Sequence, residues 1–200
     1  MTEGLEAKIV VTDTGPLITL AAAERLDYLL YPGLPVLVPD AVFYEAVRDE
    51  EAIGARAIVD WIQVHSGAVL MLPTAVFSDY LRNVEARGPY REKDLGERAA
   101  IEVVTDAISL GENERALLMM EDDRALRRVL LPGAPALGRM IPLTTRDFLE
   151  ALEEARRIQS ADEVYRAAEN RGRLPGRATV LRQQHEDALA AVRIAVRTKS

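Results

Sequence analysis

The sequence indicates an α/β protein built around a parallel sheet. Short segments rich in Val, Ile, Leu and Met alternate with helical patterns, which is typical of βαβ units. Asp13 stands where the first of these segments meets a helix that begins with Gly15-Pro16. Open α/β sheets bind their ligands at this kind of strand-to-helix boundary. We therefore expect a functional site at the carboxyl edge of the sheet.

The strands are predicted from short β-branched and apolar runs. These runs cover residues 8–12, 35–38, 116–120 and 140–143. A further apolar run at 68–72 is a candidate strand, although the region 67–93 gives no clear pattern. The chain thus has at least four strands for the sheet.

Helices are predicted between the strands from apolar stripes and capping residues. The first covers residues 15–30 and breaks near Glu24, and the second begins at Pro39-Asp40 with Asp40 as the N-cap. Further helices are expected at 53–62, 75–86, 95–110 and 144–157, the last of these capped by Thr144 or Thr145.

The C-terminal part has a different character. We predict a main α/β domain over residues 1–157 and a helical extension over 158–200, with helices at 160–169 and 178–196 around a loop at 172–176. The segment 156–200 has ten Lys or Arg and five Asp or Glu, so it carries a charge of +5 while the remainder carries −12. This basic tail could dock a polyanion, or its charged helices simply face water.

Composition excludes several kinds of site. The chain has no cysteine, so disulfides and thiolate chemistry are absent, and a metal would need carboxylates or the two histidines. His65 and His185 lie far from the acidic motifs. No segment reaches the roughly 20 apolar residues of a membrane span, so we expect a cytoplasmic protein.

Acidic residues recur at the ends of the predicted elements. They are Asp13 after the first strand, Glu45 in the second helix, Glu97 in the first turn of the helix at 95–110, and the pair Asp122 and Asp123 after the strand at 116–120. Each has an ordinary explanation as a helix cap or a first-turn acid. Their recurrence predicts a carboxylate pocket for hard divalent cations, because four converging acids would otherwise repel one another.

Four segments together resemble the PIN-domain ribonucleases, which include the toxin halves of VapBC-type toxin–antitoxin pairs. The segments are Val11-Thr-Asp13-Thr-Gly-Pro-Leu-Ile18, Val38-Pro-Asp-Ala-Val-Phe-Tyr-Glu45, Leu95-Gly-Glu97-Arg-Ala-Ala100 and Leu118-Met-Met-Glu-Asp122-Asp-Arg124. The resemblance covers roughly residues 8–150. It implies a Rossmann-like three-layer α/β/α fold with an acidic pocket that holds Mg²⁺ or Mn²⁺. The implied activity is the cleavage of single-stranded RNA.

The resemblance also implies roles for individual residues. Asp13, Glu97 and Asp122 or Asp123 would hold metal ions that activate a water for in-line attack, while Glu45 completes the shell or orients water. Thr14 matches a hydroxyl position that supports the pocket, and Asp147 also resembles the fourth acid but ranks below Asp122 and Asp123 because it follows the next strand. From its place just before Glu97, Asp94 could replace that residue as a ligand. If the chain is such a toxin, a small antitoxin protein and a symmetrical homodimer are expected, and no membrane.

Two other functions compete with this one. A haloacid dehalogenase-type phosphatase also begins from an Asp after the first strand, but it needs a second Asp where this chain has Gly15. A non-catalytic nucleic-acid-binding or assembly module would keep the sheet and have weak or absent metal binding.

Overall fold

The computed structural model describes residues 6–129, 138–176 and 182–198. Its described residues form a five-stranded parallel sheet. The strands are β1 (Glu6–Thr12), β2 (Val36–Pro39), β3 (Val69–Leu72), β4 (Glu114–Met119) and β5 (Met140–Leu143). The candidate strand at 68–72 is therefore β3, and the four other predicted strands are present within two residues of their expected bounds.

The strand order is β3-β2-β1-β4-β5. The order of addition reverses between β1 and β4, and this topological switch point is called the reversal point below. The register pairs Val11 with Leu118 and Thr12 with Met119, which brings the carboxyl ends of these strands side by side. A crevice opens at such a reversal point because the helices that follow the two strands lie on opposite faces of the sheet. The functional site is therefore expected beyond Thr12 and Met119.

Helices follow the strands and cover the sheet. They are α1 (Thr14–Ala22), a 3₁₀ turn (Leu26–Leu30), α2 (Asp40–Val47), α3 (Ala55–Val64), α4 (Ala75–Arg87), α5 (Leu95–Glu102), a π-helical turn (Val103–Ala107), α6 (Asp123–Val129), α7 (Thr145–Glu154), α8 (Ala161–Asn170) and α9 (Arg182–Thr198).

Alternate residues of the strands point to two separate cores. Val10 and Leu117 pack in a cluster with α1, α3, α7 and α9, whereas Val11 and Leu118 pack in a cluster with α5 and α6. This alternation follows from the period of two along a strand, and both faces are apolar because helices cover both. The arrangement confirms the three-layer α/β/α fold.

Local chemistry explains where two long helical patterns divide. The pattern over 15–30 breaks at Glu24, which adopts the left-handed conformation with φ of 57° and separates α1 from the 3₁₀ turn. The pattern over 95–110 is α-helical to Glu102 and continues as the π-helical turn. The break at Glu24 was expected, and the change of helix type was not.

The C-terminal helices pack on the same sheet. Leu189, Val192 and Val196 of α9 are buried in the core cluster that includes Val10 and Phe148. The apolar stripe of this helix is thus used within the chain. Residues 178–181 of the predicted final helix lie outside the described residues, and the boundary at 157/158 stays a prediction. Within the described residues, the helices lack a stretch long and apolar enough to cross a membrane.

Candidate functional site

Asp13 occupies the reversal point of the sheet. It directly follows β1, and its backbone N–H donates to the carbonyl of Met119 at 3.0 Å, which extends the β1–β4 ladder by one residue. Asp13 is also the N-cap residue of α1, yet its side chain makes no capping hydrogen bond to the N2 or N3 amide of that helix. The side chain is buried. Its position is therefore set by the sheet, and its carboxylate is available for other chemistry.

Glu45 and Thr14 meet above the first turn of α5. The Thr14 hydroxyl donates to Glu45 Oε2 at 3.0 Å, which joins the start of α1 to α2. A β-carbon placed on Gly96 would lie 2.6 Å from Glu45 Oε2, 2.7 Å from Thr14 Oγ1 and 3.2 Å from Asp13 Oδ1. Three oxygen-bearing side chains thus converge on a residue that has no side chain of its own.

The neighbouring acids change the chemistry of Asp13. Burial is the main cause that raises the pKa of Asp13 from 3.8 to about 7, and a hydrogen bond from the backbone of Thr14 opposes this rise. The charges of Glu45, Glu97 and Glu121 add to the rise. Glu97 is itself buried in the first turn of α5. Asp13 therefore titrates near neutrality, and a cation bound beside it would favour its ionised form.

Glu121 is the acid of the β4 end that lies in this region. It is buried, and both of its carboxylate oxygens are engaged. Oε1 accepts from the Thr145 hydroxyl at 2.6 Å, and Oε2 accepts from the Thr19 hydroxyl at 3.1 Å. Oε2 also accepts from Arg173 Nη2 at 2.9 Å and from the Gly176 N–H at 3.1 Å. The sequence motif included Glu121, but the metal role was assigned to its neighbours.

Asp122 has a different environment from Glu121. Its Oδ1 accepts the backbone N–H groups of Arg124 at 2.8 Å and Ala125 at 2.9 Å, so it caps the N-terminus of α6, and it is exposed. Asp123 begins α6, but its side chain lies outside the described residues. A metal role for either residue stays a prediction. Glu121, by contrast, is buried, and its charge adds to the rise in the pKa of Asp13.

The three supporting positions also separate. Thr14 contacts Glu45 as described above. Asp94 precedes α5 in the left-handed conformation and borders a surface cavity together with Glu45. Asp147 is buried, but it accepts from the backbone N–H of Thr144 at 2.7 Å and from its hydroxyl at 2.6 Å, completing the capping box of α7. Asp147 thus has a structural role in helix α7.

The two histidines do not join the acids in the part of the chain that the structure describes. His65 Nε2 lies 3.1 Å from Asp27 Oδ1, and its ring packs near Trp61. The side chain of His185 lies outside the described residues.

The carboxylates of Asp13, Glu45 and Glu97 have the chemistry that a divalent cation requires, but their present positions are not those of metal ligands. Among residues 6–129, 138–176 and 182–198, no three Asp, Glu or His side chains form a group that could hold a metal ion as they stand. Carboxylate oxygens are nevertheless the donors that Mg²⁺ and Mn²⁺ prefer. Oxygens of Asp13 and Glu45 both lie beside the backbone of Gly96, so these two carboxylates are neighbours that could share an ion.

The chain is thus a three-layer α/β protein with buried acids at the end of its parallel sheet. A family model described as PIN domain matches residues 9–131, which is more than half of the chain. The chain therefore belongs to the PIN-domain family. No curated protein and no solved structure matches it. PIN domains are generally nucleases and typically use divalent metals, so the chain has a nuclease-type fold and a nucleic acid is its implied substrate.

Proposed function

We propose that this chain is a metal-dependent endoribonuclease whose site contains Asp13, Glu45 and Glu97. The observation that carries the proposal is the convergence of Asp13, Thr14 and Glu45 oxygens above Gly96 at the reversal point of the sheet. A buried carboxylate among like charges is a costly arrangement, and functional sites are where such arrangements are found. The nuclease-type fold supports a catalytic role for these buried carboxylates.

Each acid has a role in this proposal. Asp13 and Glu97 would hold Mg²⁺ or Mn²⁺, and Glu45 would complete the shell or orient water. A bound ion of this kind supplies Lewis-acid activation of the attacking water and stabilises charge on the phosphate and the leaving 3′ oxygen. Asp122 or Asp123 stays the proposed fourth metal ligand, and Glu121 is the acid after β4 whose charge acts on Asp13.

The chain's own residues prepare this chemistry. Thr14 fixes one oxygen of Glu45 through its hydroxyl, which leaves the other oxygen to face a ligand or a water. Asp13 has a pKa of about 7, so it must release its proton when an ion binds at neutral pH. Burial of Asp13 and Glu97 excludes bulk water, and electrostatic interactions are stronger there than in solvent.

RNA as the substrate is supported by the surroundings of Glu45. A surface cavity of about 350 Å³ is lined by Glu45, Arg91, Glu92, Lys93 and Asp94. Arg91 and Lys93 are exposed, and neither forms an ion pair with another described residue. Two unpaired cations beside a proposed catalytic acid suit the phosphates that flank a cleavage position. The +5 charge of residues 156–200 offers a second region for the same polyanion.

A toxin role in a type II toxin–antitoxin pair, a small antitoxin partner and a homodimer are part of the same proposal. Their support is the resemblance to the VapC-like members of the family. Growth arrest on expression of the chain, relieved by a short gene next to its own, is the expected result. The mass of the chain in solution, measured by light scattering, tests the dimer.

Cleavage assays test the nuclease proposal directly. Single-stranded and structured RNAs should be cut with Mg²⁺ or Mn²⁺, and a chelator or the Asp13→Asn substitution should abolish cutting. The control is Asp60→Asn, which changes an exposed acid on α3. Full activity of Asp13→Asn would defeat the assignment.

Two further variants decide between the candidate fourth acids. Asn caps helices about as well as Asp, so Asp122→Asn keeps the start of α6 intact. Loss of cleavage in Glu121→Gln with retention in Asp122→Asn supports Glu121, and the opposite pattern supports Asp122.

A non-catalytic nucleic-acid-binding module is the second candidate. The observation in its favour is the hydrogen bonding of Glu121, whose two oxygens are already occupied. Calorimetry with Mn²⁺ separates the two functions. Binding that is lost in Glu97→Gln supports the nuclease, and RNA binding without any heat from Mn²⁺ supports the module.

A further inference from the structure

Residues 171–176, which follow α8, pass directly over Glu121. A β-carbon placed on Gly176 would lie 2.3 Å from the carbonyl oxygen of Glu121 and 2.7 Å from its Cβ, so a larger residue would force the segment away. The Gly176 N–H donates to Glu121 Oε2 at 3.1 Å. These residues lie beyond 131, where the match to the family model ends. The C-terminal part of the chain therefore contributes to the acidic pocket.

Arg173 of this segment contacts Glu121 directly and also through the hydroxyl of Thr19. Its Nη2 lies 2.9 Å from Glu121 Oε2, and its Nε donates to the hydroxyl of Thr19 at 3.1 Å. Thr19 in turn donates to the same Oε2 at 3.1 Å. Nη2 also reaches the carbonyl of Gly15 at 3.3 Å. The side chains of Arg173 and Glu121 are 26% and 5% exposed, so the ion pair is shielded from water.

This arrangement divides the pocket into two sides with different charge. Oε2 of Glu121 accepts hydrogen bonds from Thr19, Arg173 and Gly176, and Oε1 accepts one from Thr145, so an ion would have to compete with these donors. Within the described residues, neither Asp13 nor Glu45 forms an ion pair. Among the described residues, Asp13 and Glu45 therefore lack the counter-cation that Glu121 has in Arg173. Separating a shielded ion pair that is hydrogen-bonded in this way is costly, so an incoming ion would avoid Glu121.

We propose that Arg173 is the permanent counter-cation of Glu121, so that the pocket takes a single divalent ion, on the Asp13 side. Removing the arginine would convert the Glu121 side into a second ion position. Arg173 is a positioning residue, because it acts through Glu121. This inference rests on the proposed function, since it concerns the ions of the same site.

Counting bound Mn²⁺ tests the inference. Electron paramagnetic resonance of free Mn²⁺ during a titration should give one ion per chain for the unmodified protein and two for Arg173→Gln. The first ion should also bind about tenfold tighter in that variant, which corresponds to about 1.4 kcal/mol, because a nearby positive charge has been removed. Arg173→Lys keeps the charge and should restore a single ion.

Matched variants show whether Glu121 is responsible. Arg171 lies two residues away and pairs instead with Glu24 and the carbonyl of Ala22, so Arg171→Gln should bind one ion. The double variant Arg173→Gln with Glu121→Gln should return to one ion, because the new position needs the Glu121 carboxylate. Two ions on the unmodified protein, or an unchanged count in Arg173→Gln, would overturn the inference.

Hydrogen exchange gives a readout that needs no metal. The amides of Arg173, Leu174 and Gly176 should exchange faster in Arg173→Gln and Glu121→Gln than in the unmodified protein. In Arg171→Gln they should exchange at the rate of the unmodified protein. Equal exchange in all four proteins would overturn the inference whether or not Mn²⁺ binds. If no protein in the set binds Mn²⁺, the nuclease proposal fails, and the exchange result alone decides the role of Arg173.

Discussion

Replacing the Asp13 carboxylate should stabilise the protein while it abolishes the proposed activity. The pKa of Asp13 is about 7 in the folded chain and near 3.8 when the group is unperturbed. The folded state therefore holds a proton that the unfolded state has released between about pH 4 and pH 7. Stability must fall as the pH rises through this range, because the unfolded state binds fewer protons there.

The size of the effect follows from the two pKa values. At 1.36 kcal/mol for each pKa unit, the rise from 3.8 to about 7 costs about 4 kcal/mol of stability above pH 7. Asp13→Asn removes the ionisable group and hence this cost. For a chain of this length, about 4 kcal/mol corresponds to a difference in Tm of roughly 8–16 °C. The variant and the unmodified protein should differ by a small constant amount near pH 4 and diverge as the pH rises to 8.

Urea unfolding of the two proteins at pH 4.5, 6 and 8, without divalent ions, measures this difference. Asp60→Asn is the control, and its stability should track that of the unmodified protein at each pH. Saturating Mn²⁺ at pH 8 should stabilise the unmodified protein much more than Asp13→Asn, because the ion binds only the folded pocket. Parallel pH profiles for Asp13→Asn and the unmodified protein would refute the assignment of Asp13 as the buried, repelled acid.

Two other substitutions probe the geometry around Glu45. Gly96→Ala should weaken Mn²⁺ binding at least tenfold, because the new methyl group displaces Glu45 and Thr14. The protein should stay folded, since alanine favours helix α5 by about 1 kcal/mol. Calorimetry and thermal melting check this, and Gly67→Ala, whose methyl group meets no atom within 4 Å, is the control. The double variant Arg91→Ala with Lys93→Ala should weaken RNA binding by the Asp13→Asn protein and flatten its dependence on log salt concentration by about 1.4, the value for two lost phosphate contacts on a single strand. Fluorescence anisotropy over a salt series measures that slope; an unchanged slope, or an equal change in Arg56→Ala, would exclude the cavity as a phosphate site.

Most of the fold could be predicted because both faces of the sheet are covered. Strands buried on two sides are short apolar runs, and β1, β2, β4 and β5 all have this form. The edge strand β3 was harder to predict, since Leu70 and Met71 are partly exposed and the run is isolated among polar residues. The π-helical turn at Val103–Ala107 had no signal, because an apolar stripe looks the same in both helix types over one turn.

The burial of Glu121 and the exposure of Asp122 could not be predicted from the sequence. Three acids in a row follow β4, and the one that enters the pocket depends on the register of β4 between its neighbours. The structure fixes this register through the Met120 N–H, which donates to the carbonyl of Leu143 at 3.0 Å. A shift of one residue would send a different side chain inward. The capping role of Asp122 was foreseeable, since Asp is a preferred N-cap and α6 begins one residue later.

Two glycines determine which side chains approach each other in the site, and their role could not be predicted from the sequence. Gly96 directly precedes Glu97, but no sequence pattern marks it as part of the site. Its missing side chain is what allows Asp13 and Glu45 to approach α5. Gly176 does the same for Glu121 and the segment that carries Arg173, from a part of the chain with no motif at all. Because each glycine admits one pair of partners, the Asp13 side and the Glu121 side of the pocket are held by separate contacts. The two sides still act on each other through charge, since Glu121 adds to the rise in the pKa of Asp13, and a substitution on one side should therefore change ion binding on the other.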